Sequence, residues 1–209
     1  MDNEKKSMIK DALILFAITL VAGLLLGFVY DVTKEPIAQQ KAKMKAEACK
    51  KVFAAAETFE PMMVEDGPTA VFMAGKDSNV DIDEVMRALD SSGQLLGYVI
   101  TVTDHEGYGG DIQFSMGVTL DGTLNGISLL SISETAGLGM KAGDVLVPQF
   151  ENKKVEAFTY TKSGSTSDSE IDAISGATIT TNAVVNGVNS GLLFFNSGLM
   201  EIEGGAVNE

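Results

Sequence analysis

The chain is poor in the residues that make resident redox and metal sites. It holds one cysteine and one histidine, and only 15 Lys and Arg against 29 Asp and Glu in 209 residues. Cys49 has no partner for a disulfide within the chain, and with His105 it leaves too few ligands for a zinc or iron–sulfur site. The formal charge of -14 removes the cationic surface with which a nucleic-acid binder displaces counterions from phosphates, so no nucleic-acid partner is expected. Any redox chemistry here runs on a borrowed group. What the chain does have is 45% hydrophobic and 21% charged residues, enough to bury one core of ordinary domain size beside an appendage. It has no evident internal repeat.

The appendage is N-terminal. After a short tail, residues 1–11, the stretch "ALILFAITLVAGLLLGFVY" from Ala12 to Tyr30 carries no charge and is bracketed by Asp11 and Asp31. At about 1.5 Å per helical residue it matches the roughly 30 Å hydrocarbon core of a bilayer, which predicts one transmembrane helix over 12–30. Lys5, Lys6 and Lys10 would also suit a cleavable signal peptide. The apolar run exceeds the ~7–15 residues usual for one, however, and no small-x-small cleavage site follows closely. Lysines 34, 41, 43, 45, 50 and 51 outnumber those before the span, which favours an internal C-terminal domain, whereas a long trailing domain crosses largely regardless of its charge. Charge alone leaves sidedness open. Residues 31–57, dense in Ala, Lys, Glu, Gln and Met, predict a juxtamembrane helix or stalk, with Pro36 in a first turn or at a break.

The remaining residues, 58–209, change character. "TAVFMAG" (Thr69 to Gly75) suggests a short strand, and "DIDEVMRALD" (Asp81 to Asp90) a short helix or a loop. "QLLGYVITVTD" (Gln94 to Asp104), "DIQFSMGVTL" (Asp111 to Leu120) and "TLNGISLLSISE" (Thr123 to Glu134) are rich in β-branched residues at partial two-residue alternation. Asp121-Gly122 joins the last two as a hairpin. "HEGYGGD" reads as a Gly-rich turn between the first two, with His105 an exposed loop histidine. "KVEAFTYTK" (Lys154 to Lys162) predicts a further strand.

Two segments carry chemistry. In "SETAGLGMKAG", Gly137 and Gly139 flank Leu138, so the backbone can bend sharply and present N–H groups to something flat or anionic; a plain connector is the alternative. In "DAISGATITTNAVVNGVNSGLLFF", apolar residues recur at three- and four-residue steps from Ala183 to Phe195, the pattern of an amphipathic helix. Ser175, Thr178, Thr180 and Thr181 therefore crowd a helix N-terminus beside Gly176 and Ala177. Such hydroxyls cap helices, with Thr180 or Thr181 the candidate here, and helix N-termini also favour phosphate.

Asp172 to Thr178, "DAISGAT", resembles the flavinylation motif of the FMN-binding domain shared by the G subunit of the Rnf electron-transport complex and the C subunit of the sodium-pumping NADH:quinone reductase. "SETAGLG" resembles that family's Glu-Thr-Pro-Gly-Leu-Gly loop, with Ala136 replacing proline, and "GYGGDI" its earlier Gly-rich turn. The resemblance implies an α+β fold, a mainly antiparallel sheet packed with helices behind one transmembrane helix. It implies FMN attached covalently through its phosphate to Thr178, with Ser175, Gly176, Ala177 and Asp172 around the phosphate and Glu134, Thr135, Leu138 and Gly139 against the ring. A threonine hydroxyl is a weak nucleophile and the motif offers only Asp172 to activate it, so a separate magnesium-dependent flavin transferase is implied, with FAD as donor. No catalytic or metal-ligating residue is expected in the chain itself. Partners would be the other membrane and peripheral subunits, and the flavin domain would lie outside the cytoplasm. The compact length favours the Rnf complex, which couples ferredoxin and NAD to ion translocation; the alternatives are the quinone reductase and a membrane-anchored, non-redox scaffold.

Overall fold

The computed structural model describes residues 2–62 and 79–199. The Thr69 to Gly75 stretch lies outside them. The chain divides into two compact units, residues 1–44 and 45–209.

The first unit is helical throughout its described residues. Helix α1, Asp2–Val52, runs unbroken through Pro36, where the sequence suggested a first turn or a break. The missing N–H of Pro36 leaves the carbonyl of Val32 without its usual intrahelical donor. Leu13 to Tyr30 present their apolar surface outward, and the threonine hydroxyl in this stretch turns back on the helix, Thr19 Oγ1 donating to the carbonyls of Leu15 at 3.0 Å and Phe16 at 2.9 Å. The Thr19 hydroxyl is thereby satisfied within the helix, as lipid requires of a polar group in a span. The helix is long and apolar enough to cross a membrane.

The second unit is built on a five-stranded antiparallel meander in the order β1 (Thr58–Pro61), β2 (Val80–Leu89), β3 (Leu95–Asp104), β4 (Ile112–Thr119) and β5 (Leu124–Ser131). The expected strands form β3 to β5. Strand β2 corrects the helix-or-loop reading of Asp81 to Asp90. Its buried residues are Val80, Ile82, Val85, Ala88 and Leu89, a spacing that imitates a helix because register shifts between Ile82 and Glu84 and at Ala88 flip the parity of the strand. At the bulge, the Asp83 carboxylate accepts hydrogen bonds from Thr103 Oγ1 (2.6 Å) and Gln113 Nε2 (2.8 Å).

Each sheet face is covered. Cross-strand pairs Tyr98↔Val118, Ile100↔Met116 and Val102↔Phe114 belong to a core completed by helix α3 (Thr178–Phe194), whose Ala183, Val184, Val188 and Leu192 are buried. Burying each such large side chain stabilises by about 1.5–3 kcal/mol relative to leaving it exposed. On the other face, Val99 and Ala88 pack with Cys49, Val52, Phe53 and Ala56 from the end of α1 and the turn after it. Lys45 forms an ion pair with Glu84 beside them. Between sheet and α3 come a run of short helices, Gly139–Lys141, α2 (Ala142–Val145) and Val147–Phe150, then a small parallel pair, β6 (Thr159–Thr161) and β7 (Glu170–Asp172).

Strand β6 is shorter than the Lys154 to Lys162 strand expected. Phe158, just before it, is held instead by a side chain. The Asn189 amide of α3 accepts from Phe158 N (2.7 Å) and donates to Phe158 O (2.8 Å), occupying the groups a neighbouring strand would use.

The α1 end sits so close to the sheet that a Cβ on Gly117 would lie 2.5 Å from the Val52 carbonyl oxygen. Gly117→Ala is expected to destabilise the second unit by about 1–3 kcal/mol, the range for overpacked cores. Gly143→Ala, where the nearest atom is Leu129 Cδ1 at 3.9 Å, is the control and should be neutral or slightly stabilising in helix α2. Urea unfolding of both variants checks the pair.

Candidate functional site

Three segments meet at one end of the sheet: the 105–111 turn between β3 and β4, residues 133–139 after β5, and the start of α3. Their meeting point is Glu134. Its Oε1 accepts the N–H of Gly109 at 3.2 Å. A Cβ on Gly139 would lie 2.7 Å from both Glu134 Cβ and Oε2 and 2.6 Å from Thr180 Oγ1, and one on Gly109 would run into the Ser133 carbonyl. Only backbone fits at these two positions, which is why the turns are glycine-rich.

Between the segments lies a cleft of about 490 Å³. Of the residues expected at the site, Glu134, Thr135, Leu138, Gly139, Gly176, Ala177 and Thr178 line it. Asp172 and Ser175 do not. The Asp172 carboxylate is turned into the preceding loop, where it accepts from Ser165 N at 2.5 Å and Ser165 Oγ at 3.4 Å, while Ser175 is exposed on the turn before α3. Three lining residues were not expected against the cofactor: Tyr108, Ile179 and Thr180, the last expected only as a helix cap. Tyr108 lies in a motif whose glycines point only to a turn, and the other two follow Thr178 within the same helical turn.

Helix α3 opens at Thr178, with Ala177 at the N-cap position (φ -132, ψ 52) and no side-chain cap. The capping role expected of Thr180 or Thr181 is therefore corrected. A capping side chain must precede the first turn, and these two residues lie within it. Thr180 is buried against the Gly139 turn. Thr181 Oγ1 donates to the Ala177 carbonyl (2.9 Å) and accepts from Ile174 N (3.1 Å), clasping the approach loop to the helix. The uncapped first-turn N–H groups keep their hydrogen-bonding capacity next to the Thr178 hydroxyl.

These residues fit FMN. Uncapped N–H groups at the positive end of a helix dipole suit a phosphate. Tyr108, Leu138 and Ile179, exposed at 70%, 40% and 52%, offer flat and apolar surface to a ring.

His105 begins the Tyr108 turn and is more than the exposed loop histidine expected. Its Nδ1 lies 2.8 Å from Asp111 Oδ1 and its Nε2 3.0 Å from Asp81 Oδ2, joining β2, β3 and the start of β4. Hydrogen bonds to Asp111 first and Asp81 second raise its pKa from 6.5 to about 9, against a smaller opposing effect of desolvation. Because the folded value is the higher one, the stabilisation is complete below pH 6.5 and is lost as pH rises through about 9. With the ring 39% exposed, solvent screens the pair and keeps the effect modest. Measured as urea midpoints from pH 6 to 10, the stability difference between wild type and His105→Gln should shrink across that window; a constant difference would discount the ion pair.

Comparison with known proteins places this geometry in a family. Residues 107–193 match the FMN-binding domain family and residues 1–52 match the RnfG N-terminal region. The G subunit of the Na(+)-translocating ferredoxin:NAD(+) oxidoreductase complex of Acetobacterium woodii is 31% identical over 194 residues, covering 92% of this chain and 93% of that protein. The G subunit of the ion-translocating oxidoreductase complex of Methanosarcina acetivorans is 30% identical, covering 90% and 94%. The crystal structure of Shewanella oneidensis NqrC superposes with a TM-score of 0.55 over 80% of this chain and 99% of its own, at 15% identity, a likeness of fold. The matches to the N-terminal region and to relatives over nearly their full length decide between the two complexes that the motifs allowed: the chain belongs to the RnfG family, the G subunits of ion-translocating oxidoreductase complexes.

Proposed function

We propose that this chain is the membrane-anchored electron-relay subunit of an Rnf-type ferredoxin:NAD oxidoreductase, and that it carries FMN joined through its phosphate to Thr178. The observation that carries this reading is the position of Thr178, first residue of α3, on the cleft that Glu134 and Leu138 also line. The Acetobacterium woodii and Clostridium ljungdahlii relatives are subunits of ferredoxin:NAD(+) oxidoreductase complexes, and the reading extends that membership and the association with other subunits to this chain. FMN held there would supply reversible electron uptake and release. The chain's own residues bind and orient: Thr178 anchors the phosphate, the uncapped N–H groups around it offset the phosphate charge, and Leu138, Ile179 and Tyr108 flank the ring.

In attachment, the Thr178 hydroxyl oxygen forms a bond to the flavin-side phosphorus of FAD, the pyrophosphate bond breaks, and AMP leaves. The hydroxyl proton passes to a base. Since the Asp172 carboxylate is engaged with Ser165, that base and the magnesium ion are assigned to a separate flavin transferase. The gain in mass is one FMN less one water. Coexpressed with a transferase, Thr178→Val should lose this gain completely, because valine keeps the β-branched shape and removes the nucleophilic oxygen. Thr180→Val and Thr181→Val should keep it, the latter with a stability loss of about 1 kcal/mol for its buried hydrogen bonds. Intact mass reads the outcome, and an adduct persisting on Thr178→Val would move the attachment to another residue.

The anchor is assigned as a single crossing by residues 12–30, with the flavin domain outside the cytoplasm. Ser167→Cys, on the exposed turn before β7, should react with an impermeant thiol reagent on intact cells when buried Cys49 is replaced by serine. Labelling only after lysis would reverse the orientation.

A further inference from the structure

We propose that Tyr108 is the aromatic wall against which the flavin ring lies, and that Glu134 is the positioning residue that holds it there; the inference rests on the assignment of FMN to the cleft and deepens it. The chain has no tryptophan and four tyrosines. Tyr30 lies in the apolar stretch of α1, Tyr98 is buried with its ring 6.2 Å from that of Phe195, and Tyr160 is half-buried in β6. Only Tyr108 lines the cleft, and its side chain is 70% exposed.

An aromatic ring so uncovered usually marks a loose loop, but this backbone is held at several points. Gly109 donates to Glu134 Oε1 at 3.2 Å, Gly110 donates to the Gly107 carbonyl at 3.3 Å, and Gly109 packs on the Ser133 carbonyl without room for a side chain. His105 pins the start of the same turn to Asp81 and Asp111. A fixed backbone thus presents an uncovered ring. Among the described residues of the second unit, the large apolar side chains that stand exposed are Tyr108, Leu120, Leu138, Met140 and Ile179; three of the five line the cleft and Met140 adjoins Gly139. Covering them requires a broad apolar group beside the helix N-terminus that suits a phosphate. A flavin ring tethered at Thr178 meets both requirements, and aromatic pairs gain from offset or edge contacts beyond the area they bury.

Glu134 acts through Tyr108. It accepts from the residue after the tyrosine, and a Cβ on Gly107, the residue before it, would lie 2.9 Å from the same Oε1. Losing the carboxylate frees the turn from the 133–139 segment, and the ring contact with it.

The composition makes the test clean. A phenol in contact with an excited flavin quenches its emission by lending it an electron, which returns in the dark; a phenylalanine ring is too hard to oxidise to do so. The flavin-loaded full chain in detergent, with one FMN per chain verified by mass, should emit several-fold more strongly as Tyr108→Phe than as wild type. Glu134→Ala should brighten similarly. Glu134→Gln, which keeps an acceptor oxygen for Gly109, should stay near the wild-type yield, and Glu134→Ala combined with Tyr108→Phe should be no brighter than Tyr108→Phe alone. Unchanged emission in loaded Tyr108→Phe would overturn the proposed contact, even with FMN firmly attached. A bright Tyr108→Phe with a dim Glu134→Ala would overturn the positioning role of Glu134. A wild-type chain that gains no flavin mass with an active transferase would overturn the cofactor assignment and this inference together.

Discussion

The Glu134 side chain is the constraint on which the cleft depends. It stands where β5 has ended, and its carboxylate reaches the Gly109 N–H across the mouth of the site while its stem packs where a Gly139 side chain would otherwise be. Two glycine-rich turns far apart in sequence are thereby brought against the same few atoms. The start of α3 joins them because Thr180, buried in its first turn, touches the Gly139 turn. Small changes at this junction are costly for a steric reason: an atom added at Gly109 runs into the Ser133 backbone, and one added at Gly139 displaces the Glu134 and Thr180 side chains.

Rigidity elsewhere supports that junction. The sheet is buried on both faces, by α3 on one and by the end of α1 on the other, so the strands that carry the turns cannot shift independently. Two side-chain devices extend this stiffness where regular structure ends. The Asn189 amide substitutes for a strand at Phe158, and the Thr181 hydroxyl ties Ile174 and Ala177 to the helix that begins at Thr178. Thr178 is therefore presented from a helix whose approach loop is itself fastened. Such support suits the attachment proposed for Thr178, since each freed rotamer would have to be ordered again on binding.

Electrostatics on the surface follow a different logic. The chain carries a formal charge of -14, yet the cleft combines one carboxylate with hydroxyls, backbone N–H groups and apolar side chains. Acidic groups near the site are tied up: Asp81 and Asp111 by His105, Asp83 by Thr103 and Gln113, Asp172 by Ser165. The helix end thus offers locally favourable ground for an anion on a domain whose net charge as a whole repels one.

Much of this molecule was legible in its sequence wherever the signal was local. An uncharged apolar run, two-residue alternation in β3 to β5, an Asp-Gly turn and hydroxyls crowded before an amphipathic helix each express a short-range physical preference, and the two motifs sufficed to suggest the family. Where distant residues decide, local pattern misled. The bulge at Asp83 gave β2 a helical spacing, because a single extra residue inverts which side chains face the core. Strand β6 was cut short by an asparagine from α3 some thirty positions away, and the threonines expected to cap α3 lie behind the orphan N–H groups. Asp172 sits in the motif but points into its own loop, while Tyr108 sits in a turn and faces the cleft. The sequence by itself determined the long apolar helix, strands β3 to β5 and the crowding of hydroxyls at the start of α3, since these depend on composition and neighbours along the chain. Only the tertiary structure decided which side chains share the cleft, because that depends on Glu134 bringing together turns that no local interaction connects.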